Sequence, residues 1–152
     1  MKSWLGESIG RACVKHDTAL WGYVFMPEHV HLMVYPRLVD YDISEFLRSV
    51  KESTTRKAMA YRRSSERNES IWKPFLDVRP DGHVHFRLWQ RGSGYDRNIV
   101  SSDELREKLR YMHNNPVARG LCETPLDWAW SSAAFYERGE PGPLAVEFAD
   151  SL

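Results

Sequence analysis

Two strand-like apolar stretches stand next to each other near the N-terminus, and they constrain the fold more than any other feature. They cover residues 19–25 and 29–35. The tripeptide Met26-Pro27-Glu28 separates them, and Pro36 follows the second. Because proline cannot donate a backbone hydrogen bond inside a sheet, the tripeptide predicts a turn or a bulge. The sequence therefore predicts two adjacent strands.

Apolar periodicity and end signals predict three helices around these strands. The first covers residues 3–16 and the second residues 43–62, where Asp42 and Glu45 have the spacing of a capping box. The third begins with the same pattern at Ser101 and Glu104 and is expected to end before Pro116.

The remaining segments predict extended or irregular structure. The expected features are a polar loop at 64–69, a short edge segment at 71–75, a further strand at 83–90 and a packing segment with aromatic residues at 128–136. The order of these elements predicts an α+β fold, with a small antiparallel sheet and helices packed on one face.

Composition indicates an ordinary globular domain. The chain has 152 residues, 42% of them hydrophobic and 28% charged, which fits one domain with a hydrophobic core. No apolar run approaches the roughly 20 residues of a membrane span, so no membrane partner is expected. The N-terminal stretch predicts an amphipathic helix and lacks the apolar core of a signal peptide. Cys13 and Cys122 lack metal-site spacing, and we interpret them as reduced thiols of a cytosolic protein.

Charge is distributed unevenly although the formal net charge is zero. Residues 48–67 carry seven basic side chains against two acidic ones, and residues 121–152 carry six acidic ones against one basic. A basic stripe of this kind binds phosphates even when the total charge cancels, but it is also typical of a solvated helix face.

A His-x-His triplet opens the second predicted strand. Alternate strand residues share a face, so His29 and His31 project to one side, where two imidazoles can bind one divalent cation. A second triplet, His83-Val84-His85, has the same spacing. Such pairs also occur by chance on polar sheet faces, and spacing does not separate the two.

Tyr111 lies near the end of the third predicted helix, at the margin of its apolar stripe. Asn115 follows four residues later, so the two side chains are neighbours on the helix surface. A tyrosine beside a metal site could attack a phosphodiester. An amphipathic packing role is the alternative.

Several motifs in chain order resemble the single-tyrosine HUH transposases of bacteria, and most closely the REP-associated tyrosine transposases. The similarity covers residues 19–136. The motifs that carry it are Trp21-Gly22-Tyr23-Val24-Phe25-Met26-Pro27-Glu28-His29-Val30-His31-Leu32, Trp89-Gln90-Arg91-Gly92, Gly94-Tyr95-Asp96-Arg97-Asn98-Ile99, Tyr111-x-His113-x-Asn115-Pro116-Val117-x-Arg119-Gly120-Leu121 and Asp127-Trp128-x-Trp130-Ser131-Ser132.

The resemblance implies a role for each candidate site residue. It makes His29 and His31 metal ligands, Asn115 the third protein ligand and Tyr111 the nucleophile. A divalent ion, Mg²⁺ or Mn²⁺, is the implied cofactor, since magnesium prefers oxygen ligands and manganese also tolerates imidazole. His83 and His85 have no part in the family signature.

The resemblance also implies one HUH-type domain over residues 1–152, with 137–152 as an acidic tail. The family fold is a ferredoxin-like sheet that carries the histidines on a central strand. Members usually begin with a strand before the first helix. Only Met1 and Lys2 precede that helix here, so a sheet without its first strand is expected.

The implied activity is that of a metal-dependent single-stranded DNA endonuclease and strand transferase. It would cleave hairpin-bearing DNA, such as REP-like repeats, through a 5′-phosphotyrosine intermediate. A relative that binds DNA or RNA hairpins without cleaving them is the alternative, and a nickase of replication or conjugation is disfavoured by the small size. The protein is expected in the bacterial cytoplasm at the nucleoid, as a monomer or a homodimer.

Four basic residues are candidates for contact with DNA. Lys51, Arg56 and Lys57 lie on the second predicted helix, where they could follow a phosphate backbone. Lys108 lies one turn before Tyr111, where it could stabilise the phenolate or contact the phosphate. Exposed aromatics, here Tyr95 and Trp89, could stack on unpaired bases, although a buried position is the alternative for both.

Overall fold

The computed structural model describes residues 1–64, 69–90, 92, 94 and 96–147. No helix in this described part is long and apolar enough to cross a membrane. The elements follow the chain as α1 (Lys2–Lys15), β1 (Thr18–Phe25), β2 (Val30–Pro36), α2 (Ile43–Ser64), a 3-10 helix (Glu69–Phe75), β3 (Leu76–Val78), β4 (Val84–Phe86), α3 (Ser102–Ala118), a 3-10 turn (Pro125–Asp127) and α4 (Ala133–Arg138).

The two predicted adjacent strands form the antiparallel hairpin β1–β2. The turn at residues 26–29 is closed by the backbone N–H of Met26, which donates to the carbonyl of His29 at 2.9 Å. The register shifts between Leu20 and Gly22, so the strand carries a bulge or irregularity there. Every residue of β1 is buried. The hairpin is therefore covered on both faces of its first strand.

Two separate apolar cores lie on the two faces of β1. One contains Leu20, Tyr23 and Phe25 together with buried residues of α1 and α2. The other contains Trp21 and Val24 together with buried residues of α3. The α+β class is confirmed, but the helices cover both faces of the hairpin, where the sequence predicted one covered face. An alternating strand pattern could not reveal this, because β1 is apolar on both sides.

The predicted strand at 83–90 is shorter than expected and belongs to a second sheet. Only Val84–Phe86 is extended, and it pairs with Leu76–Val78 and not with the first hairpin. The segment at 71–75 is not an extended edge: it lies in the 3-10 helix. Three residues per turn bring Trp72 and Phe75 to one side, where their ring centroids are 6.1 Å apart. Burial of Trp72 thus outweighs the local preference for a strand.

The aromatic C-terminal segment packs on the sheet, as predicted, and it also pairs along the other edge of β1. The N–H of Phe25 donates to the carbonyl of Trp130, and the N–H of Ser132 donates to that of Tyr23, both at 2.9 Å. The indole of Trp128 donates to the carbonyl of Phe25 at 3.0 Å. β1 therefore has β2 on one side and residues 130–132 on the other. Residues 148–152 of the predicted acidic tail lie outside the described part.

Helix α3 continues through Pro116 and ends at Ala118, although the sequence predicted an end before the proline. Proline removes one backbone donor and disfavours helical geometry in the residue before it. Here Pro116 is fully buried, and its burial offsets that penalty. Gly120 then ends the helix with φ +66, in the left-handed conformation that glycine adopts without strain. Because the helix continues through Pro116, Asn115 keeps helical geometry.

Candidate active site

The two histidines of the first triplet contact each other through their Nε2 atoms, at hydrogen-bond distance. Their Nε2 atoms are 3.0 Å apart, and the ring planes are nearly perpendicular at 87°. His29 lies at the end of the turn and His31 one residue inside β2. The strand geometry thus brings the pair to one face, as the alternation predicted.

The surroundings of His31 favour its neutral form. Burial lowers the pKa of the imidazole, the nearby His29 lowers it further, and a hydrogen bond with the side chain of Asn115 partly opposes these effects. A neutral imidazole keeps the nitrogen lone pair that a metal ion requires. The lowered pKa therefore suits His31 to binding a cation at neutral pH.

Helix α3 brings Tyr111 and Asn115 to the histidines. The rings of Tyr111 and His31 have centroids 6.5 Å apart and are nearly perpendicular at 81°. Tyr111 is 63% exposed, so it is not one of the core residues of the helix. Asn115 donates to the carbonyl of Tyr111 at 3.0 Å and also contacts His31. Two pairs of residues, which are about eighty positions apart in the chain, thus meet at one surface. One pair is His29 and His31, and the other is Tyr111 and Asn115.

Comparison with known proteins identifies the family of this chain. A family model described as "Transposase IS200 like" matches residues 1–115. The chain belongs to the IS200-like transposase family. A solved structure, described as a REP-associated tyrosine transposase bound to a REP hairpin, matches with a TM-score of 0.65 and 20% sequence identity, covering 97% of this chain and 74% of that one. No curated protein matches.

The donor atoms of this IS200-like transposase fit a divalent cation. Two ligands of an octahedral ion at bonds of about 2.1 Å and right angles lie about 3.0 Å apart. The two Nε2 atoms have that separation. Within the described residues, no group of three or more His, Cys, Asp or Glu side chains could hold a metal. A third protein ligand would therefore be an amide or another neutral oxygen, for which Asn115 is suitably placed.

The basic residues predicted to contact DNA are not gathered at this surface. Lys51, Arg56 and Lys57 lie on α2, which packs against the opposite face of the hairpin from α3. Lys57 is paired with Glu7 of α1.

Lys108 lies on α3 one turn before Tyr111, as predicted. Its ammonium is paired with the carboxylate of Glu107 at 2.9 Å. This exposed pair would have to open before Lys108 could contact a phosphate, a step of small energetic cost at a surface.

The other aromatic and histidine predictions have mixed outcomes. The indole of Trp89 donates to the carbonyl of Lys51 at 3.1 Å and is half-buried, so it packs on α2. Tyr95 lies outside the described residues. His83 and His85 are exposed on the second hairpin, where His85 lies opposite Asp77. The second histidine pair thus belongs to a different sheet from His29 and His31.

Two charged residues at the site were given no role from the sequence. Glu28 is adjacent to His29, and its Oε1 lies 3.5 Å from the Nδ1 of that imidazole. The same oxygen forms an ion pair with Arg119, the C-cap residue of α3. Arg119 follows Asn115 by four residues, so helical periodicity places it on the Tyr111 face. The signals in the sequence were that spacing and the presence of both residues in the motifs that carry the family resemblance.

His113, inside the same motif, points into the protein. It is 8% exposed, and its Nε2 lies 2.8 Å from the hydroxyl of Ser132. Burial lowers the pKa of His113 to about 4. The hydroxyl of Ser132 also accepts from the N–H of Tyr23 at 3.0 Å. His113 therefore joins α3, β1 and the C-terminal segment, and it takes no part in the exposed site.

Proposed function

We propose that this chain is a metal-dependent endonuclease and strand transferase that acts on single-stranded DNA with hairpins. The observation that carries the proposal is the meeting of His29, His31, Asn115 and an exposed Tyr111 at one surface. Membership of the IS200-like transposase family supports an enzyme of DNA transposition. The similar solved structure, a REP-associated tyrosine transposase bound to a REP hairpin, supports a hairpin as the DNA partner.

Tyr111 is the proposed nucleophile. A bond forms between its phenolic oxygen and the phosphorus of the scissile phosphodiester, while the bond to the 3′-oxygen breaks. The phenolic proton is lost to solvent and the departing 3′-oxygen takes up a proton, which leaves a 5′-phosphotyrosine and a free 3′-hydroxyl. Attack by a 3′-hydroxyl reverses the step. Cleavage and rejoining therefore need no nucleotide cofactor.

His29, His31 and Asn115 are the proposed ligands of Mg²⁺ or Mn²⁺. A bound divalent ion supplies positive charge that polarises the phosphate and offsets its developing negative charge. Asn115 has a second task, because its contact with His31 joins α3 to the histidines. Its side-chain amide also donates to the carbonyl of Tyr111 within the helix. Three protein ligands leave room for phosphate oxygens and water.

Lys108 is proposed to assist the reaction from the next turn of α3, after exchange of its Glu107 partner for the phosphate. Lys51, Arg56 and Lys57 are proposed to contact the backbone of DNA that extends away from the site. Such contacts give affinity but little sequence preference, and they weaken with salt.

A cleavage assay tests the proposed function. Labelled single-stranded DNA from the flanks of the gene, folded into its hairpin, is incubated with Mn²⁺ or Mg²⁺ and the protein. We expect a covalent protein–DNA adduct that requires the ion and is absent with Tyr111→Phe. Tyr41→Phe is the matched control, because Tyr41 is also exposed at 47% and lies outside the site.

Each alternative gives a different result in this assay. Hairpin binding without an adduct in either variant would favour a binding protein that does not cleave. An adduct with Tyr111→Phe would mean that another residue is the nucleophile.

A mixing experiment tests whether the site is shared between two subunits. The Tyr111→Phe and His31→Ala variants are combined in the same cleavage assay. Recovered activity requires a dimer in which the tyrosine of one subunit serves the histidines of the other.

A further inference from the structure

Glu28 contacts both parts of the candidate site. Its Oε1 lies 3.5 Å from the Nδ1 of His29 and is paired with the guanidinium of Arg119, the C-cap residue of α3. The contact is on the far ring nitrogen of His29, while the near nitrogen, Nε2, faces His31. Glu28 is therefore placed behind the imidazole and is not in line to bind the ion itself.

A carboxylate at Nδ1 has a specific effect on an imidazole. It accepts the Nδ1 proton and so favours the tautomer in which Nε2 carries the free lone pair. Without such a partner, the one N–H proton of the neutral ring can lie on Nε2, where it would block binding of an ion. The carboxylate also fixes the orientation of the ring and raises the basicity of Nε2.

Arg119 extends this contact to the helix that carries the tyrosine. Tyr111, Asn115 and Arg119 follow one another at intervals of four residues, so they form one row along α3. Asn115 contacts His31, and Arg119 contacts Glu28. Two neighbouring side chains of the row thus join the helix to both histidine positions.

These contacts contribute too little free energy of folding to be explained as features that stabilise the protein. The side chains of Glu28, His29 and Arg119 are 41–47% exposed. Exposed ion pairs contribute little to folding because solvent and salt screen them. The role of Glu28 and Arg119 therefore lies in their placement at the imidazole of His29.

We propose that Glu28 is a positioning residue that holds His29 in the Nδ1-protonated tautomer, with Arg119 fixing the carboxylate relative to the Tyr111 helix. The proposal rests on the proposed function, because it assigns His29 to a metal ion. It adds a residue outside the ligand set, with an effect that is measurable in the metal-free protein.

The first measurement is the tautomer of His29 in the metal-free protein. Two-bond ¹H–¹⁵N spectra are recorded at about pH 8, above the usual pKa of histidine, and the His29 signals are assigned with His29→Ala. We expect Nδ1 protonation in the wild type, its loss in Glu28→Met, which has a similar length but no acceptor, and its retention in Glu28→Gln. Glu123→Met, at an exposed acid outside the site, is the matched control.

The second measurement is Mn²⁺ affinity by calorimetry. We expect Glu28→Met to weaken binding by about 10–100-fold, with partial recovery in Glu28→Gln and unchanged binding in Glu123→Met. Thermal stability should stay close to that of the wild type in every variant.

An unchanged tautomer and affinity in Glu28→Met would overturn the role of Glu28. If wild type binds no Mn²⁺, the metal part of the proposed function is wrong, and the tautomer comparison alone decides the inference.

Discussion

Lowering the pH should destabilise this protein through His113. Its imidazole is buried beside Ser132, and burial lowers its pKa from 6.5 to about 4. Between these two values the unfolded chain binds a proton that the folded protein does not bind. The stabilising contribution of neutral His113 is therefore fully present above pH 6.5 and is lost progressively as the pH falls towards 4.

The size of the effect follows from the two pKa values. The full difference between them corresponds to about 3 kcal/mol in the free energy of unfolding. Most of the change lies between pH 7 and pH 5, where linkage gives a loss of about 2 kcal/mol. This is a large share of the 5–15 kcal/mol that typically stabilises a domain.

Urea denaturation at pH 7 and pH 5 measures this loss. The pKa of His31 is also lowered, so wild type alone does not isolate His113. His113→Gln lacks the titrating group, and its stability should fall by about 2 kcal/mol less than that of wild type between the two pH values. His83→Gln, at an exposed histidine, should behave as wild type does.

Equal pH dependence in wild type and His113→Gln would refute this reasoning. It would mean that the imidazole is protonated in the folded protein at pH 5, and hence that water or a local opening reaches it.

Four further substitutions test the packing and the site. Gly22→Ala places a Cβ 2.8 Å from Leu109 of α3 and should destabilise the protein by about 1–3 kcal/mol in urea denaturation, whereas Gly10→Ala, in open space on α1, should stabilise it by about 0.5–1 kcal/mol. Gly120→Ala, at φ +66, should cost about 1 kcal/mol by the same measurement. Lys108→Ala should slow adduct formation on hairpin DNA, and an unchanged rate would reject the role proposed for Lys108.

Local sequence signals predicted the starts of α2 and α3 well. At the start of α3 the N–H of Glu104 donates to the hydroxyl of Ser101 at 3.2 Å, as the capping pattern predicts. Asp42 accepts from the N–H of Ser44 at 2.8 Å at the start of α2, but Glu45 pairs with Arg48 and does not reach back. Capping depends on residues within one turn, so sequence contains nearly all the information that it needs.

Predictions failed where burial by distant residues competes with local preference. Residues 71–75 form a 3-10 helix because Trp72 packs against Phe75 and against Phe86 of β4. Pro116 stays inside α3 because it is buried in the protein. For Trp72 the deciding contacts include Phe86, which lies outside the window in which periodicity is read.

The sequence by itself determined the hairpin, the three helices and the common face of His29 and His31, because strand and helix periods are properties of neighbouring residues. Only the tertiary structure decided that α3 covers one face of β1 while α1 and α2 cover the other. That packing brings Tyr111 to the histidines and Arg119 to Glu28, across 91 residues. Burial of apolar surface drives this packing and has no preferred direction. The arrangement of the helices on β1 therefore depends on how whole elements fit together.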